Sequence, residues 1–499
     1  MKRILGLAAA LVALAGVAMA DERPVARTTS GPVAGAATAD GAVFKGIPYA
    51  APPVGPLRWK PPTKPAAWTA PRDASQFGAI CPQPQRPDRV AAAGAGGPQS
   101  EDCLFLNVWT PKHARKAPVM VWIHGGGFRF GSGSGPIYDG AAFARDGVVL
   151  VTLNYRLGAL GWFAHPALSR TAAPGEPLGN YGLMDQIAAL KWVQANIAAF
   201  GGDPANVTVF GESAGGRSVL SLLTTPAARG LFAKAIVESG GGWEVGKPLA
   251  SAEQAGADVA THAGLAGADA TAEQLRALPV DKLLDTPLTL GGSGPFEDGR
   301  LVTQSVTQAF AAGKFAPVPL IIGSNSYEAS LMRTFRIPPE MAVARMKPGQ
   351  KAAYASLGSD DAIAAAAFTD TVMAGPARWV AGKVAGKAPA YLYEFSYVPS
   401  LRRSSAPGAQ HGLEIPFVFD TAGALFGGFA SADDLSMARL MHACWIAFAK
   451  TGRPACDTGE AWPVYTGAAD ELMEFGTSPA VRQHFRKTFL DADEKALGL

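Results

Sequence analysis

The sequence lacks most of what would mark a nucleic-acid-binding or membrane-spanning protein. Charge of one sign is missing, since 44 Lys and Arg stand against 41 Asp and Glu among 499 residues. That balance offers no basic footprint for nucleic acid or an anionic membrane. Long apolar runs are missing beyond the first twenty residues, and no later stretch reaches transmembrane length. Cysteine is scarce, with four in all, and neither Cys nor His falls at metal-ligand spacing. No linker-like break in composition divides the chain, so one elaborated domain is expected despite a length that would suggest about three.

What is present begins with a leader. Met1-Lys2-Arg3 precedes an apolar run over residues 4–18, which closes on Ala18-Met19-Ala20, a small-x-small cleavage signature. Residues 1–20 therefore read as a cleaved secretory signal and 21–499 as the mature domain, delivered to a periplasm or the medium with no membrane attachment after cleavage. No cysteine stands at the cleavage point to support the alternative of a lipoprotein. In an exported chain the cysteines invite pairing. Cys81 and Cys103 bracket a segment rich in Pro, Gly and Ala, where a bridge would close a loop of about 20 residues and stabilise by roughly 3 kcal/mol. Cys444 lies within a helical pattern and reads first as a small buried hydrophobe; a bridge to Cys456, in the turn that follows, stays open.

Apolar β-prone runs alternate with helical ones. Strands are expected at 118–123, 148–153, 207–210, 235–238, 319–323 and 390–395, and Leu183, Ile187, Leu190, Val193 and Ile197 repeat at helical spacing. Strands separated by helices imply an α/β fold with a mostly parallel sheet covered on both faces. Two Ala-rich stretches, 251–286 and 349–387, read as helical insertions that either cover the sheet or form a cap shaping a pocket.

The most informative segment is Val207-Thr208-Val209-Phe210-Gly211-Glu212-Ser213-Ala214-Gly215-Gly216. A β-branched run stops at a Gly-x-Ser-x-Gly unit and a helix-compatible stretch follows. The glycines allow a sharp strand-to-helix turn that displays the Ser213 hydroxyl at a helix start, where negative charge is stabilised. A nucleophilic serine needs a base and an orienting acid, in the chain order Ser, then Asp or Glu, then His. Of the histidines beyond Ser213, His262 lies in an Ala-rich insertion, His442 sits mid-helix in an apolar stripe, and His484 stands among basic residues near the C-terminus. His411, in a loop beside Gly412, fits a base best. For the acid, Glu328 follows a buried strand and Asp298 is its competitor in an Asp-Gly turn; pattern favours Glu328 only modestly. After strand 118–123 come His124-Gly125-Gly126-Gly127, whose glycines let backbone N–H groups converge. With the N–H of Ala214, those of Gly126 and Gly127 would hold an oxyanion.

Taken with Phe44-Lys45-Gly46-Ile47-Pro48-Tyr49, Ser100-Glu101-Asp102-Cys103-Leu104, Asn154-Tyr155-Arg156, Gly179-Asn180-Tyr181-Gly182 and Phe200-Gly201-Gly202-Asp203-Pro204, these motifs resemble the type-B carboxylesterases, the family of cholinesterases and bacterial para-nitrobenzyl esterases. The matching stretches run in order over nearly all of the mature chain. The resemblance implies an α/β-hydrolase fold, Ser213 as nucleophile, Glu328 rather than Asp298 as acid, His411 as base, an oxyanion hole at Gly126, Gly127 and Ala214, and a Cys81–Cys103 bridge. Two departures stand out. Tyr327 and Ala329 flank Glu328 where the family often has a glycine and an acidic residue, and Arg217 follows the elbow where many relatives carry a small one.

The expected activity is hydrolysis of small carboxylic esters by water through an acyl-enzyme, with no cofactor or metal and by a monomer. The rivals are an amidase or specialised hydrolase of a xenobiotic or natural-product ester, and a non-catalytic binding protein of the same fold. Arg129, Arg217, Arg402 and Arg403 lie near the site segments in sequence. They are either surface residues or a means of favouring acidic substrates.

Overall fold

The computed structural model describes residues 23–84, 96–243, 246–286 and 293–499. The expected leader over residues 1–20, and most of the segment between Pro82 and Ser100, lie outside the described residues. The strands, in chain order, are β1 Val25–Thr28, β2 Gly31–Ala34, β3 Ala36–Thr38, β4 Gly41–Pro48, β5 Arg72–Asp73, β6 Phe105–Pro111 and β7 Ala117–Ile123. They continue with β8 Val149–Leu153, β9 Gly202–Glu212, β10 Lys234–Glu238, β11 Leu320–Asn325, β12 Ala390–Phe395, β13 Glu471–Phe475 and β14 Ala480–Gln483. β1, β2 and β5 form a small sheet, and the other eleven form one large sheet in the order β14-β13-β12-β11-β10-β9-β7-β8-β6-β4-β3. Its centre, from β8 to β13, is parallel throughout. Both margins are antiparallel.

The alternation along β7 explains why this sheet lies between two layers. Ala117, Val119, Val121 and Ile123 enter one core and Met120 and Trp122 the other, because successive strand side chains point to opposite faces. β9 and β10 divide likewise, with Val207, Val209, Ala235 and Val237 on the first face and Phe210 and Ile236 on the second. The first core is closed by helices Tyr181–Asn196, Ala214–Thr224 and Gly375–Val384, and the second by Ala432–Thr451. Strands buried on both faces require continuous apolar sequence, as in Leu320-Ile321-Ile322.

The two Ala-rich stretches part company. Residues 251–286 hold most of a helix, Leu249–His262, followed by short helices that pack on Gly158–Gly161 and Pro166–Thr171. In the second stretch Gly375–Val384 packs on β11 and β12 and so covers the sheet, one of the two roles expected. The π-helical turn before it, Asp370–Ala374, supplies cavity wall. Both Cys81–Cys103 and Cys444–Cys456 are disulfides. The second settles a pairing left open from sequence, and Cys444 is buried as well as bonded.

Candidate active site

Because the central strands are parallel, the segments leaving their carboxyl ends gather along one edge of the sheet. Ser213 follows β9, His124 to Gly127 follow β7, Ser239 follows β10, and Glu328 follows β11. Ser213 itself adopts φ 56° and ψ −119°, a strained conformation for a side-chain-bearing residue. It persists because its surroundings overdetermine it. Its N–H donates to the Glu238 carbonyl at 2.9 Å, and its own carbonyl accepts from Arg217 N at 2.8 Å as the helix begins. Gly211 and Gly215 are needed for space rather than for φ. A Cβ on Gly211 would meet the Ile123 carbonyl oxygen at 2.5 Å, and one on Gly215 would press still harder on the same atom.

The glycine segment is bound just as tightly. Gly126 and Gly127 take φ of 102° and 62°, which favours glycine, and a Cβ on Gly125 would meet Glu212 Oε2 at 2.6 Å and Ser213 Cβ at 3.1 Å. His124 is buried against Tyr155, and burial pushes its pKa down to about 4 although its ring bonds the Gly125 carbonyl at 2.8 Å. Gly127 and Ala214 line the same cavity as Ser213, with a volume of about 720 Å³.

His411 lies between two carboxylates. Its Nδ1 is 2.5 Å from Glu328 Oε2, and its Nε2 is 3.0 Å from Glu212 Oε1, without hydrogen-bond alignment to the latter. Glu328 is fully buried, and its other oxygen accepts from the Ser239 hydroxyl at 2.5 Å and from Asn325 N at 2.8 Å. Among the described residues no hydrogen bond joins the Ser213 hydroxyl to His411; the ring is turned to the residue beside it. Burial opposes charge on His411, but Glu212 and Glu328 outweigh it and lift the pKa to about 10. Asp298, by contrast, accepts from the backbone N–H groups of Leu178, Leu301 and Val302 and serves its own turn. His442 bonds the Val418 carbonyl at 2.7 Å, while His262 and His484 are exposed. None of these three histidines joins the cluster.

Sequence reasoning missed a set of buried glutamates around His411. Burial raises Glu212 to about 7, with His411 pulling the other way. Burial likewise raises Glu238 to about 8 even though Trp445 Nε1 donates to it at 2.8 Å. Glu414, bonded to the Asn325 side-chain amide, is raised well above the usual range by burial and by Glu212 and Glu238. The only signal was local: Glu212 is inside the elbow and Glu414 is three residues past His411. Of the four arginines, Arg129 and Arg217 line the Ser213 cavity, whereas Arg402 and Arg403 are exposed, Arg403 lying over Tyr397.

The model of the carboxylesterase family matches residues 22–357 and 355–492. The chain is 39% identical to fumonisin B1 esterase of Sphingopyxis macrogoltabida over 493 residues, spanning 92% of this chain and 87% of that protein. It is 38% identical to para-nitrobenzyl esterase of Bacillus subtilis over 459 residues, 86% of this chain and 90% of that one. A solved carboxylesterase of Geobacillus stearothermophilus superposes with a TM-score of 0.83 at 34% identity, covering 94% of this chain and 100% of that structure.

Proposed function

The chain belongs to the carboxylesterase family and is a carboxylic-ester hydrolase, and from that premise we propose that it acts by acyl transfer through Ser213, with His411 as base and Glu328 as the acid behind it. His411 turns its Nε2 from Glu212 to the Ser213 hydroxyl as the ester enters, since such contacts tighten only in the substrate complex. It takes the hydroxyl proton while Ser213 Oγ attacks the carbonyl, then gives the proton to the leaving alcohol. Water repeats the sequence on the acyl-enzyme. Glu328 keeps the proton on Nδ1 and stabilises the imidazolium. The N–H groups of Gly126, Gly127 and Ala214 receive the oxyanion, and each is worth roughly 100- to 1,000-fold in turnover.

The observation that carries the reading is the hold on His411. One ring nitrogen is 2.5 Å from a carboxylate that is itself tied down by Ser239 and Asn325, while the other faces the neighbour of a strained, cavity-lining serine. Ser213→Ala tests it. The variant should melt as the wild type does and lose roughly 10⁴-fold or more in hydrolysis of 4-nitrophenyl butyrate; near wild-type turnover would overturn the assignment.

The two disulfides support an exported enzyme, which we further propose to be a monomer of one domain over residues 21–499. Asp21 at the N-terminus of the protein recovered from the periplasm or medium, read by mass spectrometry, checks the cleavage. Relatives at similar identity carry names for fumonisin B1, para-nitrobenzyl esters and cocaine, so the substrate is sought in the cavity.

A further inference from the structure

Three large apolar side chains that the fold leaves exposed meet at one cavity. Phe335 and Leu497 are each 48% exposed and Leu499 is 39% exposed, and all three line the cavity of about 720 Å³ at Ser213. A single exposed leucine is ordinary, whereas several around one hollow mark a surface that something covers. Val372 and Met373 continue the lining. An apolar wall is thus assembled from the end of helix Ser330–Phe335, the π-helical turn Asp370–Ala374 and the end of helix Lys487–Leu497. The volume falls in the range of about 300–1,000 Å³ that encloses ligands of many atoms.

The wall is held in shape from behind. The Tyr354 hydroxyl lies 2.6 Å from Asp370 Oδ2, in the π-helical turn, and 2.8 Å from Asp493 Oδ2, in the last helix. Arg486 donates to both Asp370 oxygens at 2.7 and 2.6 Å, and Gln350 Nε2 donates to Asp493 at 2.9 Å. Tyr354, Asp370 and Asp493 are fully buried, so the helix cannot leave the turn without stranding them. At its end Gly498 takes φ 74°, and the Leu499 N–H returns to the Glu494 carbonyl at 3.1 Å, which holds Leu497 and Leu499 to the same cavity. This helix packs mainly on Pro348–Tyr354, the π-helical turn and Gly375–Val384, none of which carries Ser213, His411 or Glu328. An ester therefore reaches Leu497 only with an arm that extends beyond the reacting carbonyl.

We propose that Leu497 is a specificity-determining residue: it receives the far part of an extended apolar arm, on the acyl or the alcohol side, and makes esters with such arms the preferred substrates. This rests on the acyl-transfer reading above and names its substrate class. Each methylene that leaves water for the wall is worth about fourfold in kcat/KM. Leu497 is half exposed and covers part of the arm, so removing its isobutyl group should return the equivalent of one or two methylenes to water, roughly 4- to 16-fold.

The test compares a long with a short ester in two series, by pH-stat. 4-Nitrophenyl hexanoate against 4-nitrophenyl acetate lengthens the acyl side, and hexyl acetate against ethyl acetate lengthens the alcohol side. The readout is the long-to-short ratio of kcat/KM in wild type, Leu497→Ala and Leu497→Gln, the last keeping the side chain's length while making its tip polar. In at least one series the ratio should fall roughly 4- to 16-fold in Leu497→Ala, mainly through the KM of the long ester; the series that responds identifies the side on which the arm lies. A fall of less than about twofold in both series, including an equal loss on long and short esters, overturns the proposal. If Leu497→Ala fails to fold, Leu497→Gln decides by the same threshold. Turnover of the short esters with ratios that ignore Leu497 sinks this inference alone. Failure of the wild type on all four esters sinks the acyl-transfer reading with it.

Discussion

Replacing Glu212 by glutamine isolates the least ordinary feature of the site, a histidine flanked by carboxylates on both ring nitrogens. Glu212 Oε1 is 3.0 Å from His411 Nε2. At that separation Coulomb's law gives about 1.4 kcal/mol at a dielectric of ~80 and about 5.5 kcal/mol at ~20. Those energies correspond to roughly one to four pKa units. Burial raises Glu212 itself to about 7, so near neutrality it carries only part of its charge, and the expected effect is about one to two units. The sign follows directly. A carboxylate beside the ring stabilises imidazolium and raises the pH at which His411 becomes a free base, as its lifted pKa records. The acidic limb of kcat/KM reports that pKa in the free enzyme. In wild type it should lie above the ~6.5 of an unperturbed histidine; in Glu212→Gln it should move down, leaving the variant relatively more active in acid. The assay is hydrolysis of 4-nitrophenyl butyrate between about pH 5 and 11 at constant ionic strength, so that a limb near the lifted His411 pKa falls inside the window, with melting curves at each end. A limb that stays in place or moves up, in a protein that melts normally, refutes the electrostatic account.

Gly215→Ala would force a Cβ into the Ile123 carbonyl, with backbone on both sides and nothing flexible to yield; urea unfolding should show a loss of about 3 kcal/mol or more, or no soluble protein at all. The disulfides should rank by loop length. Removing Cys81–Cys103, which closes 22 residues of chain, should lower the melting temperature slightly more than removing Cys444–Cys456, which closes 12. Each loss is about 3 kcal/mol in the loop-entropy model, and calorimetry of the paired serine variants checks the order.

The centre of the fold was legible for a physical reason. β7, β8, β10, β11 and β12 are buried on both faces and write themselves as mainly apolar runs, so the expected spans fall within a residue or two of the observed ones. β9 was expected only over 207–210 because its first half, Gly202 to Asn206, is partly exposed at the strand's entry. The antiparallel margins were not read at all. β3 and β14 are short and half exposed, β13 interrupts its apolar residues with Glu474, and β4 carries a register shift between Phe44 and Ile47, so each breaks the pattern that identified the core. The second Ala-rich stretch left its role open because its helix Gly375–Val384 buries small residues, Gly375, Ala377 and Ala381, against the sheet. Small apolar residues let a helix approach closely, and composition alone does not separate that use from an insertion.

Ser213, Glu328 and His411 could be picked out because each stands on a turn after a strand or loop with its own local signature. The glutamates around them could not, because burial of a charged side chain is not a local property. Glu238 ends a strand written Ala235-Ile236-Val237, and an acidic residue there reads as the strand's exit into solvent. It is instead fully buried, since β9 and β11 flank β10 and Trp445 arrives from the opposite layer to bond its carboxyl group. Glu414 is buried by the turn that brings His411 to the same spot. Taking such groups from water costs several kcal/mol if they remain charged, and the raised pKa values of Glu212, Glu238 and Glu414 express that cost. The sequence therefore names the residues proposed to carry the chemistry, whereas the electrostatics around His411 arise only from packing across three strands and a loop. That is why the Glu212→Gln pH profile, rather than further motif analysis, is the measurement that separates a histidine held near neutrality from one held as a cation.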